Sequence, residues 1–93
     1  MNKYMILIGG KPAMHKLGNI GREEDELIII HSEDETFYIG NFVEGFGFMD
    51  VKFKKEDCRN LTKEEIEKFN GRWIGINGRA HSQISIDYDG NAK

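Results

Sequence analysis

No disulfide can form within this chain, because its 93 residues include one cysteine, Cys58. A small secreted domain commonly carries several cysteines, so a reducing cytosol is the expected setting. Long apolar runs are missing as well. The N-terminal one, Tyr4 to Ile8, meets Gly9-Gly10-Lys11-Pro12 and is too short for a signal-peptide core. No stretch approaches the ~20 apolar residues of a membrane span, so a soluble protein without membrane contact is expected. Nor is there an excess of positive charge. Thirteen basic against sixteen acidic side chains leave a net charge of −3, which opposes tight nonspecific binding to nucleic acid. There is no internal repeat, low-complexity tract or linker, and a chain of this length holds one core, hence one domain over 1–93.

The residue patterns of enzymes are equally scarce. Cys58 sits between Asp57 and Arg59, with His15, His31 and His81 distant in sequence. No base is spaced to activate the thiol, and a small, partly buried side chain is its simpler reading. The histidines and Cys58 lack the paired spacings that gather metal ligands locally. His31, beside Glu33-Asp34-Glu35, is the first candidate ligand, although that acidic stretch reads more simply as a solvated hairpin tip. Gly9-Gly10-Lys11 follows an apolar strand as a phosphate loop would, but the P-loop pattern is absent and Pro12 removes an amide. Glu23, Glu24, Asp25 and Glu26 form a charged block that reads as solvated surface. No cofactor is expected. A metal-dependent or thiol enzyme is the third functional class, behind two kinds of binding protein.

What the chain does have is β pattern. Tyr4–Ile8 predicts a strand with two apolar faces. Leu27–Ile30 is also apolar throughout, which predicts a strand buried on both sides and central in its sheet. It forms a hairpin with Thr36–Ile39 across the acidic loop Ser32–Glu35. A strand over Phe48–Phe53 places Met49, Val51 and Phe53 on the core side and Phe48, Asp50 and Lys52 on the other. Between Ala13 and Gly21 the glycines break any helix, and the element there is undecided. Thr62-Lys63-Glu64-Glu65 fits a capping box, with Leu61 and Ile66 as staple and Gly71 as terminator, which predicts a helix over 63–70 that docks on the sheet. Trp73–Ile76 and Ile84–Tyr88 form a closing hairpin through Asn77-Gly78, with Ile84, Ile86 and Tyr88 on one face. Residues 89–93 are expected to fray. The fold class is mainly β, with α+β at the margin. A small antiparallel barrel or rolled sheet of five to seven strands is expected, of SH3-like or OB-like size, with one short helix near 63–70. An open sheet with the helix on one face is the alternative.

One segment points toward function. In Phe42-Val43-Glu44-Gly45-Phe46-Gly47-Phe48, aromatics alternate with glycines, and Phe46 and Phe48 would share a face as a stacking platform for unpaired bases. Gly45 to Phe48, with Met49 after them, resembles the K-G-F-G-F-I motif of cold-shock domains, which implies single-stranded nucleic-acid binding. Glu44 stands where that family has lysine, and no strand pairing an aromatic residue with histidine follows, so the likeness covers about a tenth of the chain. The leading expectation is a non-enzymatic binding or accessory module that engages a protein partner or a second copy of itself. Phe42, Phe46, Phe48, Tyr38 and Trp73 are more aromatics than so small a core readily hides. Nucleic-acid binding over 42–53 is the alternative, and the candidate binding residues are Phe42, Phe46, Phe48, Tyr38, Lys52 and Lys54.

Overall fold

A computed structural model describes residues 2–44, 50–76 and 79–93, with the backbone alone for 75–76 and 79–81. The chain is mostly β. In order it forms β1 (Lys3–Leu7), β2 (Ala13–His15), β3 (Gly18–Ile20), β4 (Glu26–Glu33), β5 (Phe37–Phe42), β6 (Val51–Lys54), a 3-10 turn (Lys55–Asp57), β7 (Cys58–Arg59), α1 (Lys63–Phe69), β8 (Trp73–Ile76) and β9 (Arg79–Gln83). Seven strands make one antiparallel sheet in the order β3-β2-β6-β5-β4-β1-β7, and β8 pairs with β9 separately.

The sheet is rolled without closing into a barrel. Seven flat strands would hold their edges roughly 29 Å apart. Yet Ile20 on one edge strand and Cys58 on the other pack against the same cluster: Met5, Leu7, Ala13, Ile28, Ile30, Phe42, Val51 and Phe53. At Gly40 the β4 backbone leaves β5 no room for a side chain. A Cβ there would stand 1.8 Å from the Ile29 carbonyl oxygen, beside the irregular register between Ile30 and Ser32.

The strands that are apolar throughout need two cores, and they have them. Met5, Leu7, Ile28 and Ile30 face the inside of the roll, while Tyr4, Ile6 and Leu27 face outward beneath Ile66 of α1 and Ile84 and Ile86 of the C-terminal segment. β4 is accordingly an interior strand, as its composition demands. The helix starts as expected: the Thr62 hydroxyl accepts from the Glu65 amide (3.2 Å), and the Glu65 carboxylate accepts from the Thr62 amide (2.9 Å). Replacing Thr62 with alanine is expected to cost about 1 kcal/mol in a urea titration. Gly71 follows with φ +86°, the left-handed stop.

Arg59 ties these parts together. Its guanidinium donates to both Glu65 oxygens (2.6 and 3.0 Å) and to Asp25 (3.3 Å). Chiefly through the hydrogen bond from Arg59, the Glu65 carboxyl is held down to about 2. Because the folded value lies below the ordinary one near 4.5, the ionised group stabilises the fold above that range, and this contribution is lost as pH falls toward about 2. Glu65→Gln is expected to flatten the acid limb of the stability–pH curve while leaving the alkaline limb unchanged.

Several details differ from the sequence expectation. β4 runs on to Glu33, so the hairpin tip is Asp34–Thr36, where the Asp34 carboxylate accepts from the Thr36 and Phe37 amides (2.9 and 2.7 Å). These two hydrogen bonds hold the Asp34 carboxyl below its usual range. Residues 13–20 form a hairpin of three-residue strands. The second strand of the closing hairpin is Arg79–Gln83, not Ile84–Tyr88. Ile84 and Ile86 are buried beyond it, whereas Tyr88 is 83% exposed. Residues 89–93, expected to fray, are held by the Gly90 carbonyl, which accepts from the Tyr4 amide, and by amides that Ala92 and Lys93 donate to Asn2 and Ser85. The Asp87 carboxylate accepts from the amides of Asp89 and Asn91 and so sets the turn. The Asn77-Gly78 turn lies outside the described residues.

Candidate functional site: an uncovered sheet face

Strand pairing decides which side chains share the outer face. Because opposed residues in an antiparallel pair point the same way, the register Asn19–Met14–Lys52–Ile39–Ser32 makes one row across β3, β2, β6, β5 and β4. Lys54 opposite Phe37 makes a second. Where the outer face crosses β4 and β1, the helix and the C-terminal segment cover it. Over β2, β6 and β5 the described residues of these elements do not pack on it, and Met14, Phe37 and Ile39 are half-buried there while Lys52 and Lys54 are exposed. Lys52 Nζ stands 5.6 Å from the centre of the Phe37 ring, a cation–π contact. Neither lysine forms an ion pair with the described residues. The two rows hold no carboxylate.

Acidic groups border this face and are engaged elsewhere. The Asp50 carboxylate accepts from His31 Nε2 (3.1 Å), and the Asp50 amide donates to Asn41 Oδ1 (3.2 Å). Glu33 pairs with Lys55 at 3.5 Å. His31 lies at the irregular turn of β4 with Ser32 Oγ 3.3 Å from its Nδ1.

The sequence-derived site residues divide into three groups. Lys52 and Lys54 lie on the open face. Phe42 is 6% exposed, edge-on to Phe53 at 5.4 Å with the Arg22 guanidinium 4.8 Å from its ring centre, and therefore belongs to the core. Tyr38 shares its inward side, half-buried against the same cluster, with Lys55 Nζ 5.2 Å from its ring. Phe46 and Phe48, with the whole Gly45–Met49 stretch, lie outside the described residues. Phe37, Ile39 and Met14 escaped sequence reasoning. The signal for Phe37 and Ile39 was present in the alternation of β5, but only the register places Phe37 against Lys54 and Met14 against Lys52.

The chain matches no protein-family model, no curated protein and no solved structure.

The candidate chemical sites fare as follows. Burial, reinforced by the Asp57 charge, pushes the Cys58 thiol up to about 12, and Sγ donates to the Lys54 carbonyl at 3.4 Å. A thiol so protonated is a poor nucleophile. Alkylation by iodoacetamide at neutral pH is expected to be much slower in the native protein than in the urea-unfolded one. Alkylation of the native protein at the rate of free cysteine would contradict this environment. Among the described residues no group of three or more His, Cys, Asp or Glu side chains could hold a metal ion. The amides of the glycine turn are engaged: Gly9 donates to the Asp25 carboxylate (2.7 Å), Gly10 to the Arg22 carbonyl (2.8 Å) and Lys11 to the Ile8 carbonyl (3.2 Å). A turn with these donors satisfied has none to offer a phosphate. No helix among the described residues is long and apolar enough to cross a membrane.

Proposed function

We propose that this chain is a non-enzymatic, cytoplasmic binding module that engages another protein through the outer face of β2, β6 and β5. The observation that carries the reading is that face itself. Lys52 and Lys54 stand on its central strand, flanked by half-buried Met14 on β2 and by Ile39 and Phe37 on β5, and among the described residues neither lysine has an ion pair and neither the helix nor the C-terminal segment packs on these side chains. Apolar side chains that can exclude water, beside polar groups that can fix orientation, are the two ingredients of a protein-binding patch. The protonated, half-buried state of Cys58 supports a role without thiol chemistry.

The test is selection from a displayed peptide library against the folded protein. Binders are expected for the wild type and are expected to be lost for Ile39→Asp, with Lys54→Glu as a second variant that leaves the apolar packing alone. Selection that yields no binder, or binders that both variants retain, would overturn the reading.

Self-association is a second reading, favoured by Trp73, which is 60% exposed on a two-stranded sheet. Sedimentation equilibrium at rising concentration distinguishes it: a dimer that Trp73→Ser dissolves would support it, and a monomer throughout would remove it.

A further inference from the structure

We infer that the occupant of the open face is an extended, acidic segment of its protein partner, an assignment that rests on the binding reading above. Lys52 and Lys54 are two residues apart on one strand, so their side chains leave the sheet about 6.8 Å from one another. Alternate side chains of an extended segment have the same spacing. Carboxylates at alternate positions therefore match both lysines at once, while the side chains between them point away from the sheet. Charge complementarity selects the sign. The outer rows across β3, β2, β6 and β5 contain two ammonium groups and no carboxylate, in a chain whose net charge is −3.

A single strand of nucleic acid fits the same face less well. Asp34 and Glu35 at the β4–β5 tip and Asp50 before β6 confine the positive stretch to the two lysines, which a short acidic segment can match and a continuous phosphate chain would overrun at both ends. Lys52 also stands over the one aromatic ring of these rows, where a base would have to stack.

The experiment follows amide resonances of the intact protein during addition of four probes: a short alternating Asp/Val peptide, its Lys/Val and Ser/Val counterparts, and a short oligothymidylate. The Asp/Val peptide is expected to shift Met14, Ile39, Lys52 and Lys54 and to bind about tenfold more weakly to the Lys52→Glu/Lys54→Glu variant. The Lys/Val peptide should gain binding to that variant. Lys52→Gln/Lys54→Gln provides the same comparison without added charge. Equal binding of all three peptides to the wild type would overturn the acidic assignment and leave the face a binding surface. Tighter binding of oligothymidylate than of the acidic peptide would overturn it in favour of nucleic acid. Should no probe shift the face, the acidic assignment falls, whereas the binding reading falls only if the library selection fails too.

Discussion

Gly40→Ala is expected to destabilise the protein by roughly 3 kcal/mol or more, or to prevent folding. The added methyl would sit 1.8 Å from the Ile29 carbonyl oxygen, 2.8 Å from its carbon and 3.0 Å from the Ile30 Cα, all of them backbone atoms. A flexible side chain could swing away, but a strand in the middle of a seven-stranded sheet cannot move without breaking its ladders to β1 and β5. Gly21→Ala serves as control, because nothing lies within 4 Å of the Cβ it would add. Its effect should stay within about 0.5 kcal/mol. Urea unfolding of the two variants compares them directly, and similar midpoints would show that the close approach of β4 and β5 does not hold in solution.

Phe53→Ala has the second large effect, about 3–5 kcal/mol. Phe53 is fully buried, edge-on to Phe42, and its inward neighbours Ala13 on β2 and Tyr38 on β5 come from the strands on either side. A domain of this length has a total stability of roughly 5–14 kcal/mol, so one such cavity removes a large part of it. Lys52→Glu, the adjacent residue on the same strand, points the opposite way and should shift the midpoint little. That contrast between neighbours measures the two-faced character of β6. A Phe53→Ala midpoint close to the wild type's would place Phe53 outside the core.

The elements legible in the sequence are those that carry their own local instruction. Thr62 and Glu65 declare the helix start because each satisfies the other's amide. The unbroken apolar runs of β1 and β4 announce burial on both sides because no alternate residue is fit for water. By contrast, β2, β3 and β7 are two or three residues long; β2 and β7 are held by β6 and β1, distant in sequence, and β3 pairs with β2. Residues 89–93 have no strand pattern of their own and are held by partners at Asn2, Tyr4 and Ser85.

The site was half legible for the same reason. Alternation along β6 separates Lys52 and Lys54 from Val51 and Phe53 without further information. Alternation along β5 separates Phe37 and Ile39 from Tyr38 and Phe42, but does not say which pair faces water, since both contain an aromatic. Pairing of Phe37 with Lys54 and of Tyr38 with Phe53 makes that decision. Counting aromatics against core size therefore pointed at Phe42, whose ring the core does hide, and passed over Phe37.

The most direct test of the binding role is to map amide shifts on the intact protein with a peptide recovered by library selection. The largest shifts are expected at Met14, Phe37, Ile39, Lys52 and Lys54, with β1 and α1 unaffected. Shifts centred instead on Trp73 and its hairpin would contradict the role assigned to the open face.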